Sequence, residues 1–81
     1  MENTDRLREV FRKSLELPPD EFVDDLEYRG IQKWDSLAHM SLVAGIEDAF
    51  DIMIDTDDVI ALSSFAKARE IIGKYGVVLA D

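Results

Sequence analysis

The chain has 81 residues, of which 47% are hydrophobic and none is cysteine, and it carries a net charge of -9 at pH 7. That length suits one domain with a core near the lower limit of independent stability, and the composition excludes a disordered chain, a disulfide scaffold and a thiolate metal site. The acidity argues against nucleic acid and anionic membranes, which are held by clustered Lys and Arg, and favours fast encounters with basic protein surfaces. The acids group as Glu16, Asp20, Glu21, Asp24, Asp25 and Glu27 before the stretch "KWDSLAHM", and as Glu47, Asp48, Asp51, Asp55, Asp57 and Asp58 after it. The bases lie mainly towards the two ends. No run approaches the roughly 18 apolar residues of a membrane helix. The start, "MENTDRLREVFRK", has no signal-type apolar core, so a cytoplasmic and, given its charge, monomeric protein is expected.

In chain order, Asn3 or Thr4 can cap a first helix over about 4–16, in which Leu7, Val10, Phe11 and Leu15 share one face. "LPPD" then stops it, because proline lacks a donor and restricts its predecessor. A long loop runs from there to Trp34, with "DEFVDDLEY" able to form one helical turn that points Phe22 and Leu26 inward. The second helix is predicted over 36–50. Its apolar residues Leu37, Met40, Leu42, Val43, Ala44, Ile46, Ala49 and Phe50 cover an arc wide enough for packing on more than one side. "DIMIDTDD" connects it to a short third helix over 56–61, capped by Asp55 or Thr56. Ser63 and Ser64 open a fourth helix over 64–75, with Phe65, Ala68, Ile72 and Tyr75 on one face and Gly76 placed to end it. Only "VVL" at 77–79 has strand character, and it is too short to build a sheet. The expected architecture is therefore all-α: a four-helix bundle with a short third helix and a long first loop, as a single domain over 1–81.

The feature that calls for chemistry is Asp35-Ser36-Leu37 at the head of the second helix. A helix start exposes unpaired N–H groups and the positive end of the dipole, an environment that favours negative charge. Asp35 would serve as the cap and leave the Ser36 hydroxyl free as an acceptor, while Leu37 would anchor the first turn in the core. Further along stand Ile46, the acidic pair Glu47-Asp48, Phe50, Ile54, the acidic turn at Asp57 and Asp58, and the Ser-Ser start of the last helix. Together these residues resemble the acyl carrier protein family over nearly the whole chain, from about Leu7 to Tyr75. The tripeptide alone is a weak signal; its place in an acidic four-helix chain of this length makes it a strong one.

The resemblance implies a carrier rather than an enzyme, with no catalytic residue and no metal of its own. Phosphopantetheine would pass from coenzyme A to Ser36, flanked by Asp35 and Leu37, through a phosphopantetheinyl transferase that holds the magnesium itself. The arm would carry an acyl group as a thioester, loaded by an acyl- or aminoacyl-transferring ligase or transferase and used by synthase enzymes with basic surfaces. His39, Met40, Glu47, Asp48, Asp55, Asp57 and Asp58 are the expected recognition residues. Met40, Val43, Ile46, Ile54, Val59, Leu62, Ala68 and Ile72 would line a space for the acyl chain, although a plain hydrophobic core accounts for the same residues.

Other residues invite weighing. Trp34, where many carriers have a small residue, is expected to pack the loop end on the second helix. His39 lacks a third orienting group and an oxyanion hole, so an exposed helix residue that tunes recognition is expected rather than a nucleophilic dyad with Ser36. An EF-hand counted from Asp51 needs glycine and glutamate where Thr56 and Leu62 stand, so the acidic loop is read as a solvated face. Ala38, His39 and Ser41 occupy the part of the second helix where fatty-acid carriers are usually more acidic, which points to a specialised pathway. Two alternatives stand beside the acyl carrier: an aminoacyl or peptidyl carrier, and an acidic helical adaptor in which Ser36 is only a cap.

Overall fold

Four helices follow one another as α1 (Asn3–Ser14), α2 (Ser36–Phe50), α3 (Thr56–Ala61) and α4 (Phe65–Lys74) in a computed structural model that describes residues 2–79. Among those residues there is no strand; extended backbone pairs at one antiparallel bridge between Glu27 and Ser64. The all-α expectation holds, including the short third helix and the long first loop.

Helix α1 buries Leu7 and Phe11, with Leu15 just beyond its end, at the spacing that puts every fourth residue on one face. Its start differs from the expectation. The N-cap is Glu2, which makes no side-chain cap bond. Asn3 instead donates from Nδ2 to the Val78 carbonyl at 2.8 Å, tying the start of α1 to the segment that follows α4, and Thr4 is buried. Its stop is also earlier than the prolines. Glu16 turns left-handed at φ 56, and the Leu17 N–H closes on the Arg12 carbonyl at 2.7 Å. This is the Schellman geometry that usually falls to glycine.

The loop after α1 contains turns but no helical turn. Phe22 is 64% exposed, and its neighbour Val23 is the residue that enters the core; Leu26 is half-buried. The physical reason is where the loop is tied. Arg8 grips Asp24 in a two-bond fork at 2.8 and 2.9 Å, which orients Val23 inward and Phe22 out. That fork raises the Arg8 pKa and, working the other way, holds the Asp24 carboxyl below its ordinary range. Farther along, the Tyr28 N–H donates to the Ser63 carbonyl at 2.8 Å and the Phe65 N–H to Leu26 at 3.0 Å, flanking the bridge. The loop is thus stitched to the α3–α4 connection.

The core centres on three aromatic rings. Phe11 meets Trp34 and Phe65 edge-on, with centroids 5.4 and 5.0 Å apart. Trp34 is fully buried, as expected of a residue pinning the loop end to α2. At Gly45 the helices α1 and α2 come so close that an added Cβ would lie 2.9 Å from the Ser14 hydroxyl and 3.1 Å from Val10. Helix α2 does not pack on several sides. It buries only Leu42, Val43 and Ile46, leaving Leu37 80% and Met40 56% exposed. Nine residues separate Leu37 from Ile46, which at 3.6 residues per turn is roughly half a circle. The wide apolar arc therefore divides into a core face and an outward apolar face.

Asp51 ends α2 in the left-handed region at φ 55, and the Glu47 carboxylate accepts the Ile54 N–H at 2.8 Å to hold the connection that follows. Helix α3 buries no residue fully. It is moored by Asp58, which accepts from Lys74 at 2.7 Å and from the Tyr75 hydroxyl at 2.6 Å. Ser64 caps α4 through the Lys67 N–H at 2.9 Å, and Gly76 at φ +90 follows its end as expected.

Candidate functional site

Ser36 is the first helical residue of α2. Asp35 before it has extended backbone, and its Oδ1 accepts the Ala38 N–H at 2.9 Å while its carbonyl accepts the His39 N–H at 2.8 Å. Asp35 is therefore the cap, and the exposed Ser36 hydroxyl has no part in capping. The hydroxyl is not free of partners, however. It lies 2.9 Å from the Tyr28 hydroxyl and 3.5 Å from Nη2 of Arg29.

Nothing in the sequence pattern near Ser36 points to those two residues, which stand eight and seven positions earlier in an irregular loop. Tertiary hydrogen bonds deliver them. Arg29 holds a left-handed backbone at φ 63, fixed by its N–H on the Trp34 carbonyl at 3.1 Å and by the Gly30 N–H on Glu27 at 2.8 Å. Its guanidinium sits 5.4 Å from the centre of the Tyr28 ring. The hydrogen bond from Ser36, and then Arg29, lower the Tyr28 phenol's pKa; Tyr28 in turn raises that of Arg29.

Beside Ser36, between α2 and α3, lies a mostly apolar cleft of about 380 Å³, lined by Met40, Val59, Ile60, Leu62, Tyr28 and His39, with Ser36 and Ser63. Of the residues expected to line an acyl space, Met40, Val59 and Leu62 do so. Val43, Ile46, Ile54, Ala68 and Ile72 do not: they are 0–8% exposed within the core. Leu37 also departs from expectation. It anchors nothing in the core and stands outward next to Ser36.

His39 is not an exposed helix residue. Its Nδ1 accepts the Trp34 indole N–H at 3.0 Å, and its Nε2 reaches the Val59 carbonyl at 2.9 Å. The indole can only donate and the carbonyl can only accept, so the neutral tautomer with its proton on Nε2 satisfies both. The ring lies nearly parallel to Trp34, 6.1 Å away at 19°, and edge-on to Tyr28 at 5.2 Å. The spacing from His39 to Leu42, Val43 and Ile46 matches a core face, which is the signal that could have shown its inward position.

The remaining recognition candidates divide. Asp48, Asp55 and Asp57 are exposed. Glu47 is engaged with Ile54, and Asp58 with Lys74 and then Tyr75, whose bonds hold its carboxyl below the usual range. No acid stands in the first turn of α2, where Leu37, Met40 and, from α3, Ile60 (75% exposed) form the apolar surroundings of Ser36. Among the described residues no group of three or more His, Asp or Glu could hold a metal ion, and no helix is long and apolar enough to cross a membrane.

A four-helix fold that presents a capped, outward serine at a helix start beside an apolar cleft suits a carrier, a module that displays a covalently attached group. Comparison with known families specifies which kind: the model described as "Phosphopantetheine attachment site" matches residues 5–70, from α1 into α4, and the chain belongs to that family. It is a phosphopantetheine-bearing carrier, and carrier domains of this family are non-catalytic. Comparison with curated proteins finds no match.

Proposed function

We propose that this carrier is an acyl carrier protein whose phosphopantetheine arm is attached to Ser36, acting as a cytoplasmic monomer in a specialised biosynthetic pathway. The observation that carries the reading is Ser36 itself: exposed, at the first position of α2, relieved of capping by Asp35, and opening onto an apolar cleft of about 380 Å³. When attached, the arm supplies a terminal thiol that holds the acyl group as a thioester. This chain's own residues place and expose it. Asp35 fixes the first turn, the helix start favours the negative charge of the phosphodiester, and the cleft offers an apolar wall to the arm or its cargo.

An aminoacyl or peptidyl cargo is the second reading, favoured by the absence of acid in the first turn of α2 and by the outward Leu37, Met40 and Ile60. Partners that approach Ser36 meet an apolar surface first, with the acids Asp48, Asp55 and Asp57 further off for basic contacts. Family membership weighs against the adaptor reading, in which Ser36 is only a cap. The test is intact mass after incubation with coenzyme A and a broad-specificity phosphopantetheinyl transferase, beside Ser36→Ala. A gain of one phosphopantetheinyl group in the parent alone is expected; a gain in Ser36→Ala, or none in a folded parent, refutes the assignment.

A further inference from the structure

We propose that Arg29 and Tyr28 form a seat for the phosphodiester of the arm, gripping its charged oxygens between the guanidinium, the phenol hydroxyl and the start of α2. The inference rests on attachment at Ser36 and assigns residues that neither the Asp-Ser-Leu motif nor the helix start contains.

Three observations carry it. Tyr28 and Arg29 already converge on the atom that would bear the phosphorus, at 2.9 and 3.5 Å from the Ser36 hydroxyl oxygen. Both are donors suited to phosphate oxygens, and arginine's fork matches phosphate geometry. Next, Arg29 joins no ion pair among the described residues, in a chain with 18 acids and 9 bases. Arg8, by contrast, is committed to Asp5 and Asp24. Only Arg29 and Lys33 bring positive charge to the long acidic middle of the sequence. Last, Arg29 adopts a left-handed backbone that a non-glycine residue avoids, held by hydrogen bonds on both sides. The hydrogen bonds that hold this backbone fix where the guanidinium is delivered beside Ser36.

The electrostatics say why such a seat is needed. The Asp35 carboxylate caps the same turn, so a phosphodiester on Ser36 adds a second negative charge beside it in an already acidic protein. Arg29, whose guanidinium lies over the Tyr28 ring at 5.4 Å, offsets that repulsion. In the loaded protein, Tyr28 turns its hydroxyl from the Ser36 oxygen to a phosphate oxygen. The root of the arm is thereby fixed, which sets the direction in which the rest leaves.

The test compares apo and fully loaded protein, separated and verified by mass, for the parent, Arg29→Gln, Arg29→Lys and Tyr28→Phe. Loading is expected to raise the parent Tm by roughly 1–5 °C at low salt, the yield of an exposed charge pair in a domain this size. That rise disappears in Arg29→Gln, is partly kept in Arg29→Lys, and fades at molar salt. The Arg29 Nε–Hε resonance of the parent is expected to shift on loading. If verified loaded Arg29→Gln shows the same rise as the parent, and the Arg29 resonance does not move, the seat is refuted while attachment at Ser36 stands. If no arm is gained at Ser36, both fall.

Discussion

Replacing His39 with Phe tests whether the imidazole is a strut rather than a surface residue. The ring is kept, but the bonds at 3.0 Å from the Trp34 indole and 2.9 Å to the Val59 carbonyl are lost. Losing the Val59 bond costs about 1 kcal/mol net, and leaving the buried indole donor without a partner costs ~1–3 kcal/mol. Trp34 is fully buried, so its orphaned N–H has no solvent to turn to. The sum is about 2–4 kcal/mol, large against the ~4–12 kcal/mol expected for a domain this small. Urea unfolding followed by far-UV circular dichroism reads it directly, and Tm is expected to fall by roughly 10–20 °C. A double-mutant cycle with Trp34→Phe should give a coupling of about 1 kcal/mol or more. A loss below about 0.5 kcal/mol in His39→Phe, within the range of ordinary surface changes, would refute the strut and return His39 to the solvent-facing role that its sequence neighbourhood suggests.

Two further outcomes follow from the same geometry. Leu37→Ala, at a site 80% exposed, is expected to leave stability within about 0.5 kcal/mol of the parent while weakening the complex with the phosphopantetheinyl transferase several-fold by calorimetry; an unfolding loss above 1 kcal/mol would instead show a core contact. Asp24→Asn addresses the fork with Arg8. Because the folded-state pKa of Asp24 lies below its ordinary value of 3.8, the fork stabilises the protein above that pH and is lost as pH falls through the lower, folded value. Unfolding free energies measured between pH 2.5 and 6 should fall less steeply with acid in Asp24→Asn, and an unchanged slope would show the pair to be inert.

Helix identity and sequence order were legible because local rules decide them: every-fourth-residue spacing at Leu7, Phe11 and Leu15, the caps at Asp35 and Ser64, and Gly76 as a stop. The Asp35-Ser36-Leu37 motif was legible for the same reason, since a serine at a helix start is a local fact. Boundaries at α1 were less so. Its stop depends on Glu16 adopting a left-handed turn that its side chain does not advertise, and its start on Asn3 finding the distant Val78 carbonyl instead of capping.

Which residues face what was decided by tertiary structure. An apolar run around α2 records that the residues are hydrophobic, but the partners decide which side is covered. With α1 closing on Gly45, Leu42, Val43 and Ile46 go inside and Leu37 and Met40 stay out. Phe22 and Val23 are equally apolar, and the Arg8–Asp24 fork chose Val23. The same holds for the surroundings of Ser36. Tyr28 and Arg29 reach it because the bridge between Glu27 and Ser64 folds the first loop across the helix start, a pairing of residues far apart in the chain. Sequence by itself determined the helices and the serine. The cleft beside that serine, the half-buried His39 with its two hydrogen bonds and the cation aimed at the serine hydroxyl exist only once distant segments meet, because hydrogen bonds and side-chain packing between them carry no periodic trace along the chain.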